Sequence, residues 1–313
     1  MGEVAEDGRP VLLVLRALKL GDLLVAVPAL HALRRAYPQH RLLYAAQAWL
    51  QDAVALVGGY ELLPTHGLDE PLALEPGTVD VAVNLHGRGP ESQSRIEALR
   101  SNRTISHRSE LADGPVWLDG IHERERWARL LQWHGIVADP GDLFLPAPAV
   151  PTPHPEATVV HVGAAYGSRL WPMERFAEVA VKLGEAGHHV VFTGGTVDRD
   201  RALAVAALAR AAPSAVLAGQ QTLADFAALI AAARLVISAD TGAAHLASAY
   251  GRPSAVLFGP ATPEEWGPPP GPHIALTKRE LRRGDTFAAD PDPALLGVSV
   301  QDVLGAVRDL GLL

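Results

Sequence analysis

A chain of 313 residues, 48% hydrophobic and 20% charged, is long enough to need two hydrophobic cores and too apolar to be disordered. Its net charge of −8 offers neither nucleic acid nor an anionic membrane a general basic surface, so any basic site must be local. The absence of cysteine removes disulfides, thiolate zinc sites, iron–sulfur clusters and a Cys nucleophile together.

The chain opens on an acidic, glycine-containing stretch, unlike the basic start of a secretory signal. The apolar run over 11–33 is interrupted by Arg16, Lys19, Asp22 and Pro28. It therefore reads as a buried strand followed by a helix, and the expectation is a soluble, cytoplasmic protein with no transmembrane segment. Near-continuous apolar strands are expected over 11–16, 41–46, 79–85 and 103–106, alternating with helical patterns over 48–56, 91–99 and 122–135. A loop ending in Gly21 joins the first strand to its helix. That alternation predicts a parallel sheet covered on both faces.

Between 145 and 156 the prolines Pro146, Pro148, Pro151, Pro153 and Pro155 forbid a lasting helix or a paired strand, so this stretch reads as an interdomain linker. The α/β alternation then restarts. Strands are expected over 158–162, 188–193, 215–217, 235–238 and 254–258. Phe176, Val179, Ala180 and Leu183 recur at helical spacing within 173–186, and further helices cover 198–211, the residues around Leu223–Ile230, and the stretch up to 250. Residues 263–292 are rich in Pro and Gly, and 300–310 reads as a closing helix. The prediction is two Rossmann-like α/β domains.

In open parallel sheets, ligands bind beyond the carboxyl ends of the strands. Three such loops stand out. In Leu18-Lys19-Leu20-Gly21-Asp22, Asp22 suits either an ordinary helix cap or a general base, and Lys19 either a solvated turn residue or a charge that recruits an anionic acceptor. In Ser238-Ala239-Asp240-Thr241-Gly242-Ala243-Ala244-His245, Thr241 and Gly242 would present backbone N–H groups at a helix N-terminus, which suits a phosphate, while Asp240 suits a cap with His245 packed on the helix. In Gly163-Ala164-Ala165-Tyr166-Gly167-Ser168-Arg169, the glycines, Ser168 and Arg169 could cradle and charge-match an anion. Gly194 ends another strand, where a nucleotide could approach the backbone. Walker A, GxGxxG and GxSxG patterns are absent, and the 13 histidines show no HxH or HxxxH spacing. Asp198-Arg199-Asp200 has a DxD spacing but falls in an expected first helical turn, where acidic residues are commonplace. No metal site is expected.

The segments VLLVLRALKLGDLLVAVPALHALRRAYP, VDVAVNLHG, HERERWARLLQWHGI, HVGAAYGSRLWPMERFAEVA and SADTGAAHLASAYGRPSAVLFGPATPEEW, in this order, resemble glycosyltransferase family 9, the ADP-heptose:lipopolysaccharide heptosyltransferase-like proteins. The resemblance implies GT-B architecture: two Rossmann-like domains with parallel sheets facing a central cleft. Residues 1–149 would bind the acceptor, 156–298 would bind the nucleotide-sugar, and 299–313 would pack back toward the N-terminal domain. It implies Asp22 as catalytic base, with Lys19, Gly21 and His86 on the acceptor side. Ser168, Arg169, Asp240, Thr241, Gly242 and His245 would bind the donor diphosphate and sugar, and Gly194, Asp198 and Gln221 its nucleoside. Arg169 stands where the family often has Lys, which keeps the charge and changes its geometry. The implied activity is inverting, metal-independent transfer of a heptose or related sugar from a nucleotide diphosphate, ADP in the first instance, to an acceptor hydroxyl, with no cofactor. The acceptor would be a glycan or small molecule, anionic if Lys19 recruits it, and peripheral membrane association stays open. The alternatives are a sugar-nucleotide epimerase or hydrolase of the same fold, or a non-catalytic nucleotide-sugar-binding protein.

Overall fold

The computed structural model describes residues 8–110 and 112–313. The acidic stretch over 1–7, read above as unlike a secretory signal, lies outside them. The chain divides into two units, with the boundary after Leu143.

The first unit runs β1 (Val11–Leu15), α1 (Leu20–Ala36), β2 (Arg41–Ala46), α2 (Gln51–Val57), β3 (Tyr60–Pro64), β4 (Val81–Asn84), α3 (Pro90–Ala98), β5 (Arg103–Ile105) and α4 (Glu123–Trp133). Its five strands are all parallel, in the order β3-β2-β1-β4-β5. The strand order reverses between β1 and β4, so the loops that follow these two strands flank the switch point where such sheets bind ligands. Leu12, Leu13, Val14 and Leu15 are fully buried, as a sheet covered on both faces requires. From Leu23 to Leu33, α1 is buried on every side, which accounts for the apolar character of that stretch. No helix among the described residues is long and apolar enough to cross one.

The second unit runs β6 (Thr158–His161), α5 (Met173–Glu185), β7 (Val190–Thr193), α6 (Arg199–Leu208), α7 (Leu223–Ala231), β8 (Leu235–Ala239), α8 (Gly242–Ala249), β9 (Ser254–Leu257), α9 (Pro263–Trp266), β10 (His273–Leu276), α10 (Pro293–Leu296) and α11 (Val300–Asp309). Its sheet is again all parallel, ordered β10-β9-β8-β6-β7, with the reversal between β6 and β8. The core is built on Trp171, Phe176, Leu183, Phe192, Leu235 and Ile237.

Several expectations need correction. The division falls before the Pro-rich stretch because Leu145 already belongs to the second unit, its N–H bonding the Ala249 carbonyl at 3.1 Å. Two strands, β3 and β10, were not anticipated. Both are edge strands beside Pro or Gly, half-exposed and without a long apolar run, a setting in which an unpaired edge tolerates proline. Residues 215–217 form no strand, only a single bridge from Val216 to Phe192. Helix α11 commits Val303, Leu304, Ala306 and Val307 to the core of the second unit.

Candidate functional site

Side chains gather at the switch point of each sheet. In the first unit, α1 begins two residues earlier than expected, so Lys19 is the N-cap, Gly21 lies inside the first turn rather than in a turn before it, and Asp22 is the third helical residue. Asp22 is therefore not the cap itself. Its Oδ2 reaches back to accept the Lys19 N–H at 3.2 Å, and its side chain stays 23% exposed. Capping thus occupies Oδ2, while Oδ1 lies 3.5 Å from Arg16 NH2. The Lys19 side chain is exposed. Across the switch point, in the loop after β4, His86 Nδ1 accepts the Ala17 N–H at 3.2 Å, which assigns the ring proton to Nε2 when the ring is neutral. Burial, and next the Arg16 charge, hold this imidazole down to about 4, against the opposing pull of Asp22. Lys19, Gly21, Asp22 and His86 are thus brought together.

Arg16 is the member that sequence reasoning overlooked. It is 1% exposed, and its guanidinium contacts Asp22, Glu123 and the ring of Trp127. The available signal was a charged residue ending a fully apolar strand.

In the second unit the loop after β6 and the start of α8 converge. Asp240 is 3% exposed, and Arg169 NH1 lies 3.2 Å from its Oδ2 while donating to its backbone carbonyl at 3.0 Å. His245 Nε2 lies 3.5 Å from Oδ1. Burial pushes the Asp240 carboxyl up, but the His245 hydrogen bond and the charges of Arg169 and His245 outweigh it, so its value falls below the ordinary one. Asp240 Oδ2 and Arg169 Nε are nevertheless buried without a hydrogen bond. Such half-satisfied charges are unusual in a folded interior and suit a polar ligand. Thr241, not Asp240, caps α8, its Oγ1 accepting the Ala243 N–H at 3.3 Å, so the first-turn N–H groups open beside Arg169.

Three expected donor residues do other work. Ser168 is fully buried, and its hydroxyl donates to the Thr286 carbonyl at 2.6 Å, so it ties the 284–292 segment down and does not face a phosphate. Asp198 accepts the Gly195 N–H at 2.8 Å and fills the space above Gly163 and Gly194, where a Cβ would meet its carboxylate at 2.1 Å and its own Cβ at 2.6 Å. Gly194 therefore gives room to Asp198. Burial raises the Asp198 carboxyl. Gln221 precedes the Thr222 cap of α7, and Gly219 bonds the Gly194 carbonyl at 3.2 Å, so the loop leading to Gln221 lies beside the end of β7. No group of three or more His, Asp or Glu that could hold a metal occurs among the described residues, and Asp198-Arg199-Asp200 forms none.

Two doubly wound α/β units, each with polar residues at its switch point, define a fold of the GT-B kind. Comparison with known proteins then narrows the class. Residues 148–283 match the model of glycosyltransferase family 9 (heptosyltransferase). The chain is 32% identical over 158 residues to lipopolysaccharide heptosyltransferase 2 of Salmonella typhimurium, a match spanning 47% of this chain and 44% of the relative. It is 33% identical over 130 residues to lipopolysaccharide heptosyltransferase 1 of Pseudomonas aeruginosa, spanning 41% of this chain and 34% of the relative. The chain thus matches under half the length of these curated relatives. In fold the likeness runs through nearly the whole chain. A glycosyl transferase family 9 structure from Veillonella parvula superposes with a TM-score of 0.76 at 22% identity, covering 96% of this chain and 97% of that one. The E. coli heptosyltransferase WaaC with ADP gives 0.71 at 17% identity, covering 96% and 99%. Residues 148–283 are thus similar to glycosyltransferase family 9 (heptosyltransferase), and the likeness in fold extends over nearly the whole chain.

Proposed function

We propose that this protein is an inverting glycosyltransferase that moves a heptose from ADP to the hydroxyl of a glycan acceptor without a metal ion. The observation that carries this reading is the Asp240–Arg169–His245 cluster at the N-terminus of α8, in which Asp240 and His245 are buried and the Asp240 Oδ2 and Arg169 Nε atoms lack hydrogen bonds. An anion there would meet the Arg169 charge and the helix dipole together, so the diphosphate leaving group would be stabilised by protein groups alone. The second unit would bind the donor, and the first would activate the acceptor. In the transfer, the acceptor oxygen attacks the anomeric carbon, its proton passes to Asp22, and the bond from that carbon to the diphosphate breaks to release ADP. General-base help of this kind contributes roughly 10² to 10⁴ in rate. ADP as the nucleotide is supported by the relatives, among them WaaC, whose structure was solved with ADP. The exposed Lys19 beside Asp22 suits an acceptor that carries phosphate or carboxylate.

The test uses the full chain, ADP-heptose and a lipopolysaccharide core oligosaccharide, with excess EDTA present. Heptosylated product of inverted anomeric configuration should form, and Asp22→Ala should bind ADP normally while kcat falls by at least about 100-fold. Activity of that variant within about threefold of wild type would remove Asp22 as base. Loss of activity in EDTA with recovery on adding magnesium would overturn metal independence.

A further inference from the structure

The segment HERERW belongs to the resemblance, yet the reaction described so far gives it no task. In the structure its Glu123 and Trp127 pack on Arg16, which itself contacts the proposed base. Arg16 Nε donates to the Asp22 backbone carbonyl at 2.6 Å, and another of its nitrogens donates to the Leu85 carbonyl in the loop after β4. Its NH2 lies 3.5 Å from Asp22 Oδ1 and 3.8 Å from Glu123 Oε2, and its guanidinium sits 4.7 Å above the centre of the Trp127 ring. Glu123, in turn, accepts from Arg126 Nε at 2.6 Å, and Arg126 sits 4.0 Å above Trp117. Asp22, Arg16, Glu123 and Arg126 therefore form a chain of alternating charge from the first turn of α1 to the first turn of α4.

Arg16, Glu123 and Arg126 are all buried. Taking an ion pair out of water usually opposes stability or leaves it unchanged, so such a network is better explained by the geometry it enforces than by the stability it contributes. That geometry centres on Asp22. Its backbone is held by Arg16 Nε and its Oδ2 by the Lys19 N–H, while Oδ1 feels the Arg16 charge from a distance that steers the carboxylate without taking a hydrogen bond from it. Glu123 and the Trp127 face fix the guanidinium in its turn. We propose that Arg16, braced by Glu123, is the positioning residue that aims the Asp22 carboxylate for proton acceptance. The proposal rests on the reading of Asp22 as base.

The test is a double-mutant cycle that measures ADP release from ADP-heptose, with the core oligosaccharide or water as acceptor. Arg16→Lys keeps the positive charge and loses the fork. It should lower kcat at least about tenfold, while KM for ADP-heptose and the affinity for ADP stay within about twofold. Because Arg16 acts through Asp22, the same substitution placed in Asp22→Asn should change the residual rate by less than about twofold. Glu123→Gln should lower kcat about threefold, and this effect too should vanish in Asp22→Asn. An unchanged kcat in Arg16→Lys, or equal losses in the two backgrounds, would overturn the proposal. If Arg16→Lys fails to fold, Glu123→Gln decides alone, and an unchanged kcat there overturns it. Wild-type kcat in Asp22→Asn would instead overturn the base reading, and absence of ADP release by the wild-type chain would overturn the donor reading and this proposal with it.

Discussion

At the scale of single residues, the second-unit cluster separates charge from geometry. Arg169 touches Asp240 twice, once at the backbone carbonyl and once near the carboxylate, and its Nε has no protein partner. A lysine would keep the charge and lose the fork, whereas methionine would lose both and leave Asp240 buried with His245 alone. Arg169→Lys should therefore bind ADP within about threefold of wild type, and Arg169→Met should bind it at least about tenfold more weakly, a change of about 1.4 kcal/mol. Titration calorimetry with ADP would show this. Equal affinity in Arg169→Met would remove Arg169 from the diphosphate site.

At the scale of elements, the second-unit site depends on a contact between two loops. The turn at Gly167–Arg169 and the segment over 284–292 are joined by the Ser168 N–H to the Ala288 carbonyl at 2.9 Å, the Ser168 hydroxyl to Thr286, and the Asp292 N–H to the Ser168 carbonyl at 3.0 Å. Gly167 makes this approach possible, since a Cβ there would meet the Ala289 carbonyl oxygen at 1.6 Å. Asp292, 2% exposed, organises the far side by accepting the Arg283, Gly284 and Ala294 N–H groups. Gly167→Ala should force the two loops apart, destabilise the second unit by about 1–3 kcal/mol, and open the 284–290 segment to limited proteolysis. An unchanged cleavage pattern and melting temperature would show that the loops yield without strain. The edge strands β3 and β10 belong to the same scale. Neither could be recognised from periodicity, because an edge strand needs only one partner and no continuous apolar run.

For the whole molecule, buried histidines set the response to acid. His86 and His107 in the first unit and His161 in the second are each lowered from 6.5 to about 4, chiefly by burial. The unfolded chain takes up these protons as pH falls below about 6.5, whereas the folded chain resists until about 4, so stability present at neutral pH is lost across that window. Asp240 and Asp302, with lowered carboxyls, lose their contribution only at still lower pH, and the raised Asp198 opposes the trend. The melting temperature should drop steadily between pH 7 and 4.5, and His107→Phe should flatten the drop. A constant melting temperature across that range would contradict the burial of these rings.

By itself the sequence determined the alternation of parallel strands and helices and the loops that end the strands. Those features are local: apolar runs, helical spacing, helix starts and strand-end glycines are each written within a few residues. The tertiary structure decided which groups in those loops are free to act. Ser168 looked like a ligand contact because it sits in a strand-end loop, and only the approach of the 284–292 segment shows its hydroxyl bonded to the Thr286 carbonyl. Arg16 looked like the end of an apolar strand, and only the packing of α4 against α1 brings Glu123 and Trp127 onto its guanidinium. Such assignments depend on partners about 30 to 120 residues away along the chain, joined by burial and charge rather than by any spacing that one segment could display.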